Sequence, residues 1–154
     1  VNILNPGIGV GGHCIPIDPW FIHEVDVENS TLIAAARKIN DAMPKKIAAK
    51  IRKAVEENKK TKIVVLGASY KIDTADIRES PAMRIVEILR EDGFHVDHYD
   101  PLISTHKWDK DLPTALQGVS LLVVLVPHTV ILSEINKHKT KIKQILGDSK
   151  ILFF

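Results

Sequence analysis

The sequence predicts an α/β fold, in which a parallel sheet domain is preceded by a long connecting helix and a glycine-rich loop. Three observations lead there. Residues 63–66 and 121–126 are short apolar runs of the length expected of buried strands. Segments with helical spacing separate the strand-like runs, and that alternation belongs to parallel sheets. Ahead of the first run, apolar residues recur at steps of three and four over a length no single strand could take.

The loop comes first. Gly7, Gly9, Gly11 and Gly12 fall within six positions, followed by Pro16 and Pro19, so residues 1–23 read as a tight loop and not a regular element. An acidic stretch, 24–28, leads to Asn29 and Ser30, both suited to a helix N-cap. The helical stripe is Leu32, Ala36, Ile39, Met43, Ile47, Ile51 and Val55. Pro44 interrupts it, and a kink or short break is expected there because proline removes a backbone donor. The stripe predicts a helix over 30–58, standing outside the sheet as a connector.

The first strand run closes on Gly67. Ser80-Pro81 opens a helix with proline in its first turn, and Gly93 stops it. Residues 95–99 alternate as a second strand, ended by Asp100-Pro101. The third strand, 121–126, ends at Pro127. Residues 130–135 and 141–146 are short helical segments, and 151–154 begin a fourth strand. The chain divides into a loop segment 1–29, a central helix 30–61 and a sheet domain 62–154.

Composition narrows the function. The 154 residues make one domain, or one domain with an arm. Lys and Arg total 21 and Asp and Glu 19, a net charge of +2, which speaks against a dedicated nucleic-acid binder. Hydrophobic residues at 45% and charged residues at 26% suit a folded protein and not a disordered one. No apolar run approaches the roughly 18 residues of a membrane span. A single cysteine, Cys14, excludes an internal disulfide and a CxxC metal site and fits a reducing, cytoplasmic setting. His13 beside Cys14 lacks the spacing of a metal site, and none is expected. His95, His98, His106, His128 and His138 read as surface or strand-end residues. An opening on Val1 and an end on four apolar residues predict a piece of a longer chain.

Cys14 carries the chemistry, if any residue does. After a glycine-rich turn its thiolate could serve as a nucleophile, with Asp18 four residues on to orient water or a proton; alternatively it only packs.

The segment NPGIGVGGHCIPIDPWFI resembles the active-site segment of the UDP-glucose/GDP-mannose dehydrogenase family. Two further stretches are similar in order: RKINDAM at 37–43, and LGASYK at 66–71 with DTADIRESPA at 73–82. The resemblance implies NAD-dependent double oxidation of a nucleotide sugar to a uronic acid. It implies Cys14 and Asp18 as catalytic residues. Asn5, Gly7, Gly9, Gly11, Tyr70 and Lys71 would bind the UDP-sugar, and Arg78, with Cys14, would meet the NAD. Without it, Lys71 and Arg78 would read as solvated charges. The resemblance makes 30–61 the core of a homodimer and 62–154 a UDP-sugar domain. That domain is Rossmann-like, but Leu66-Gly67-Ala68-Ser69 lacks the GxGxxG fingerprint, so the NAD domain is expected elsewhere, ahead of the active-site loop. A lysine and an asparagine for the first oxidation are expected there, and a further substrate-binding arginine past Phe154. These residues alone should therefore not turn over. His13-Cys14-Ile15 with Pro19-Trp20-Phe21 resembles the members that act on UDP-N-acetylmannosamine; UDP-N-acetylglucosamine, UDP-glucose or a non-catalytic nucleotide-binding or dimerisation module stay open.

Overall fold

The computed structural model describes residues 7–103, 111–147 and 150–154. Asn5 and His106 lie outside the described residues.

The glycine-rich loop runs into a helix, α1 (Asp18–Val25), where the sequence suggested only loop and acidic linker. Its proline sits in the first turn, where the missing N–H would have no partner in any case. The glycine and proline density that signalled a loop thus ends one turn earlier than expected. Next come α2 (Thr31–Asp41) and α3 (Met43–Ala54), with Pro44 in the first turn of α3. The break expected around Pro44 falls at Ala42. Ser30 sits at the N-cap of α2 without a capping bond; its hydroxyl bonds the Asp26 carbonyl and His23 Nδ1 instead. The helix ends at Ala54, earlier than 58, since Glu56 and Glu57 take left-handed backbone angles.

Then follow β1 (Lys62–Leu66), α4 (Pro81–Glu91), β2 (His95–Tyr99), α5 (Leu112–Ala115), β3 (Leu121–Val124), α6 (Thr129–Lys137), α7 (Lys139–Leu146) and β4 (Lys150–Phe153). Ser80 caps α4 by accepting from the Met83 amide. Asp111 caps α5 in the same way from Thr114. The strands pair in parallel in the order β2-β1-β3-β4, so β1 lies inside the sheet as the sequence predicts.

Both faces of the sheet are covered. Alternate residues Ile63 and Val65 of β1 point into one core with Leu121 and Val123 of β3, Ile85 and Leu89 of α4, and Ile47 and Ile51 of α3. Val64 and Leu66 point the other way, against Leu112, Leu116, Ile131, Ile142 and Leu146. Residues 63–66 of β1 and all of β3, buried on both faces, are therefore apolar, which is why they read as unbroken runs. The expectation that the long helix stands clear of the sheet needs correction. Ile47, Ala48 and Ile51 are buried, so α3 belongs to the sheet's own core, while Leu32 and Ile39 of α2 are 80% and 61% exposed.

Candidate active site

Parallel sheets of this kind place their ligand sites at the carboxyl ends of the strands, where the loops leave. Here β1 ends in a long loop, 67–80, and the glycine-rich segment docks on it. The Gly12 amide donates to the Arg78 carbonyl at 3.0 Å. Gly11 has no room for a side chain, since a Cβ would lie 2.2 Å from the Glu79 carbonyl oxygen. Gly12 sits against the Tyr70 ring, which a Cβ would meet at 3.1 Å. From the other side, Asn40 of α2 accepts from the Val10 amide at 2.8 Å and donates to the Val10 carbonyl at 3.2 Å.

This clamp presents Cys14. The thiol is exposed, with its Sγ 3.5 Å from His13 Nδ1. The Cys14 carbonyl accepts from the amides of Ile17 and Asp18 at 2.9 and 2.8 Å, which turns the chain into α1. Asp18 stands, exposed, in the first turn of that helix. Cys14 and Asp18 are thus locked one turn apart by the main chain.

The loop after β1 is folded on itself. The Tyr70 amide donates to the Asp76 carbonyl at 2.9 Å. The Asp76 carboxylate takes the Arg78 amide, its Nε at 3.0 Å and a terminal guanidinium nitrogen at 2.6 Å. Those bonds hold the Asp76 carboxyl down at about 2. They also hold the Arg78 guanidinium above its usual value. The Arg78 side chain is 62% exposed, and Lys71, earlier in the same loop, is exposed as well.

Of the residues singled out in the sequence, the structure gathers Gly11, Gly12, Cys14, Tyr70 and Arg78 about one junction, with Gly9 against Pro81 and Asp18 one turn away. Gly7 has nothing within 4 Å of its would-be Cβ. In spacing alone Gly7, Gly9 and Gly12 fit the dinucleotide fingerprint. They do not act as one, for Gly9 packs on Pro81, Gly12 packs on Tyr70 and the next helix begins only at Asp18. A cavity of about 430 Å³ lies between α2 and α4; Cys14, Lys71 and Arg78 do not line it and are each exposed. Among the described residues no three His, Cys, Asp or Glu side chains come together to hold a metal ion, and no helix is long and apolar enough to cross a membrane.

His128 corrects the sequence reading. It stands at a strand end, but it is fully buried and bonded to Asp100 and Ser69. The signal lay in position: Asp100-Pro101 follows β2 and Pro127-His128 follows β3, so both polar groups leave the sheet at its ligand end. Asn40 sat inside a quoted motif without a role.

Residues 64–153 match the UDP binding domain of the UDP-glucose/GDP-mannose dehydrogenase family, and residues 1–42 match its central domain. The chain belongs to this family. A UDP-N-acetyl-D-mannosamine dehydrogenase of Methanocaldococcus jannaschii is 43% identical over 83% of this chain and 30% of that protein. An NDP-N-acetyl-D-galactosaminuronic acid dehydrogenase of Ralstonia nicotianae is 42% identical over 79% of this chain and 28% of its own length. The solved UDP-D-ManNAc dehydrogenase of Pyrococcus horikoshii superposes with a TM-score of 0.85 at 34% identity, covering 99% of this chain and 36% of that one. The chain thus spans roughly a third of the dehydrogenases it matches.

Proposed function

We propose that this chain is the active-site loop, central helices and UDP-sugar domain of an NAD-dependent nucleotide-sugar 6-dehydrogenase that oxidises UDP-N-acetylmannosamine twice, to the uronate. The observation that carries the reading is the docking of the Cys14 loop on the loop after β1, where the Gly12 amide bonds the Arg78 carbonyl and the thiol stands exposed two residues on. The names of the relatives support the substrate.

The residues present offer the dinucleotide no fingerprint turn, only the exposed guanidinium of Arg78 and the face at Cys14. When bound to the complete enzyme, NAD takes up the hydrides that leave C6. Cys14 acts after the first oxidation. Its thiolate adds to the aldehyde carbon, a C–S bond forms, and the carbonyl oxygen takes a proton to give a thiohemiacetal. Loss of the second hydride and that proton leaves a thioester. Water attacks the thioester carbon, the C–S bond breaks and the thiolate is restored, and the carboxylic acid gives its own proton to solvent and leaves as the carboxylate. Asp18, fixed one turn from Cys14, orients that water and accepts its proton. Covalent capture keeps the aldehyde from escaping between the two oxidations. Tyr70 and Lys71 meet the nucleotide sugar, Lys71 by offsetting diphosphate charge, and the backbone of Gly7, Gly9 and Gly11 approaches the sugar.

The division into a loop segment 1–29, a central helical segment 30–61 and a UDP-sugar domain 62–154 belongs to this reading. So does a cytoplasmic homodimer joined through the central helices. On their own, these 154 residues are not expected to turn over. The 42% identity to the N-acetylgalactosaminuronic acid enzyme favours a second reading, in which the sugar is a different N-acetylhexosamine. A substrate panel on the complete enzyme decides. Two NADH per UDP-N-acetylmannosamine, with slower turnover of the gluco and galacto isomers, is the expected result. Preference for either isomer would move the assignment to that sugar, and no NADH from any of them would end the dehydrogenase reading.

A further inference from the structure

The loop that carries Tyr70 and Lys71 has no secondary structure of its own between Gly67 and Ser80, yet it is tied down at two points on either side of Lys71. Both ties end on one side chain, that of His128. The Asp73 amide donates to its Nδ1 at 2.8 Å. On the opposite edge of the ring, Nε2 lies 2.9 Å from Asp100 Oδ2 and 3.1 Å from Ser69 Oγ. A ring nitrogen that accepts from an amide carries no proton, so the imidazole is neutral with its hydrogen on Nε2. That hydrogen points at a carboxylate which can only accept.

The surrounding bonds agree with this polarity. Asp100 Oδ2 also takes the amides of Ala68 and Ser69, at 2.8 and 3.2 Å, and Oδ1 takes that of Leu102. Ser69 donates its own hydroxyl hydrogen to the Lys71 carbonyl at 2.8 Å, leaving its oxygen free to accept from Nε2. Asp73 in turn accepts from the amide and hydroxyl of Thr129, the first residue of α6 and the neighbour of His128. Both residues of the pair 128–129 thus grip the loop, His128 at Ser69 and Asp73 and Thr129 at Asp73. His128, Asp100 and Ser69 are all fully buried. Burying polar groups costs unless every one is paired, and here each has a partner. An apolar side chain could fill the space but could not accept from one segment and donate to the other.

We propose that His128 is the positioning residue of the nucleotide-sugar site: a neutral, Nε2-protonated imidazole that fixes Ser69 and Asp73 and so sets where Tyr70 and Lys71 meet a uridine diphosphate. The role rests on the proposed function of that loop. His128 touches no ligand itself; it acts through the loop.

The test uses the complete enzyme, UDP as the probe, and two variants that each keep one half of the bridge. His128→Asn can still accept from the Asp73 amide, and His128→Gln can still donate toward Asp100. Calorimetry should show UDP binding weakened about tenfold or more in both, the scale of a lost buried hydrogen bond. KM for the UDP-sugar should rise with kcat changed much less, a split that general loosening would not produce. Long-range nitrogen–proton NMR on the wild-type enzyme, which needs no variant to fold, should find the His128 hydrogen on Nε2. A hydrogen on Nδ1, or unchanged UDP affinity in both variants, would overturn the positioning role while leaving the UDP reading intact. Wild-type enzyme that binds no UDP would instead remove the UDP reading, and the positioning role with it.

Discussion

Asn40 satisfies both the amide and the carbonyl of Val10, at 2.8 and 3.2 Å, from the last turn of α2. A side-chain amide is the one group that can donate and accept side by side in this way. It tethers the segment that presents Cys14 to a helix, and it does so four residues before the thiol. Asn40→Ala removes both bonds and should cost about 1 kcal/mol of stability, because the site is partly exposed. Activity of the complete enzyme should fall more steeply, by roughly tenfold, since a small displacement of the nucleophile is enough to slow capture. Asn40→Asp keeps the acceptor alone and should fall between the two. Equal kcat/KM for Asn40→Ala and wild type would show that the loop holds its shape without the tether.

Two glycines with left-handed backbones separate strain from contact. Gly67, φ +87°, ends β1, and a Cβ there would lie 2.4 Å from the Val126 carbonyl oxygen. Gly118, φ +71°, has open space around it. Gly118→Ala should cost about 1 kcal/mol from the backbone alone. Gly67→Ala adds a clash with main chain that cannot swing away, and should cost at least about 2 kcal/mol more. Urea unfolding of the two variants checks the order, and equal midpoints would count against the contact argument.

The buried carboxylate Asp100 makes stability depend on acid. Burial pushes its carboxyl upward, but hydrogen bonds from His128 and the amides of Ala68 and Leu102 outweigh that and hold it at about 2. The unfolded value is higher, at 3.8, so the contribution is complete above about pH 4 and is lost as pH falls through 2. A shift of this size corresponds to roughly 2 kcal/mol. The stability gap between wild type and Asp100→Asn should therefore narrow between pH 5 and pH 2 by about that amount. A gap that stays constant over this range would mean that the carboxylate is not held in its charged form.

Leu32, Ala36 and Ile39 lie on one exposed face of α2, while Ile47 of α3 is 3% exposed inside the sheet's core. If the complete enzyme is a homodimer through its central helices, Leu32→Asp should shift sedimentation toward the monomer and leave the fold intact. Ile47→Ala should do the reverse, lowering stability by about 2–5 kcal/mol without changing the association state. Dimer formation by Leu32→Asp at wild-type strength would place the interface elsewhere.

The strands were legible because each carries its own signal. Residues 63–66 and Leu121–Val124 are buried on both faces and so are apolar throughout, and His95–Tyr99 is bracketed by Gly93 and Pro101. The helical stripe was legible as periodicity but not as placement. Period alone cannot say that Ile47 and Ile51 meet the sheet while Leu32 and Ile39 stay outside it, because one face of a helix can change partners across the break at Ala42. Asp18–Val25 was hidden by proline, which marks a loop in most contexts and a helix start in this one. Cys14, Tyr70 and Arg78 could be named from local motifs. His128, Asp100 and Asn40 could not, since their partners lie 28 to 59 residues away and no local pattern encodes such pairing.

Cys14→Ser in the complete enzyme, assayed with UDP-N-acetylmannosamine and NAD, tests the proposed chemistry most directly. Serine is a poorer nucleophile near neutral pH, and an ester hydrolyses more slowly than a thioester. The first hydride transfer does not need the thiol. The account predicts that uronate formation nearly stops while reaction to the aldehyde stage persists, or an ester adduct slowly accumulates on the protein. Uronate formed by Cys14→Ser at the wild-type rate would contradict it and return Cys14 to an ordinary surface residue.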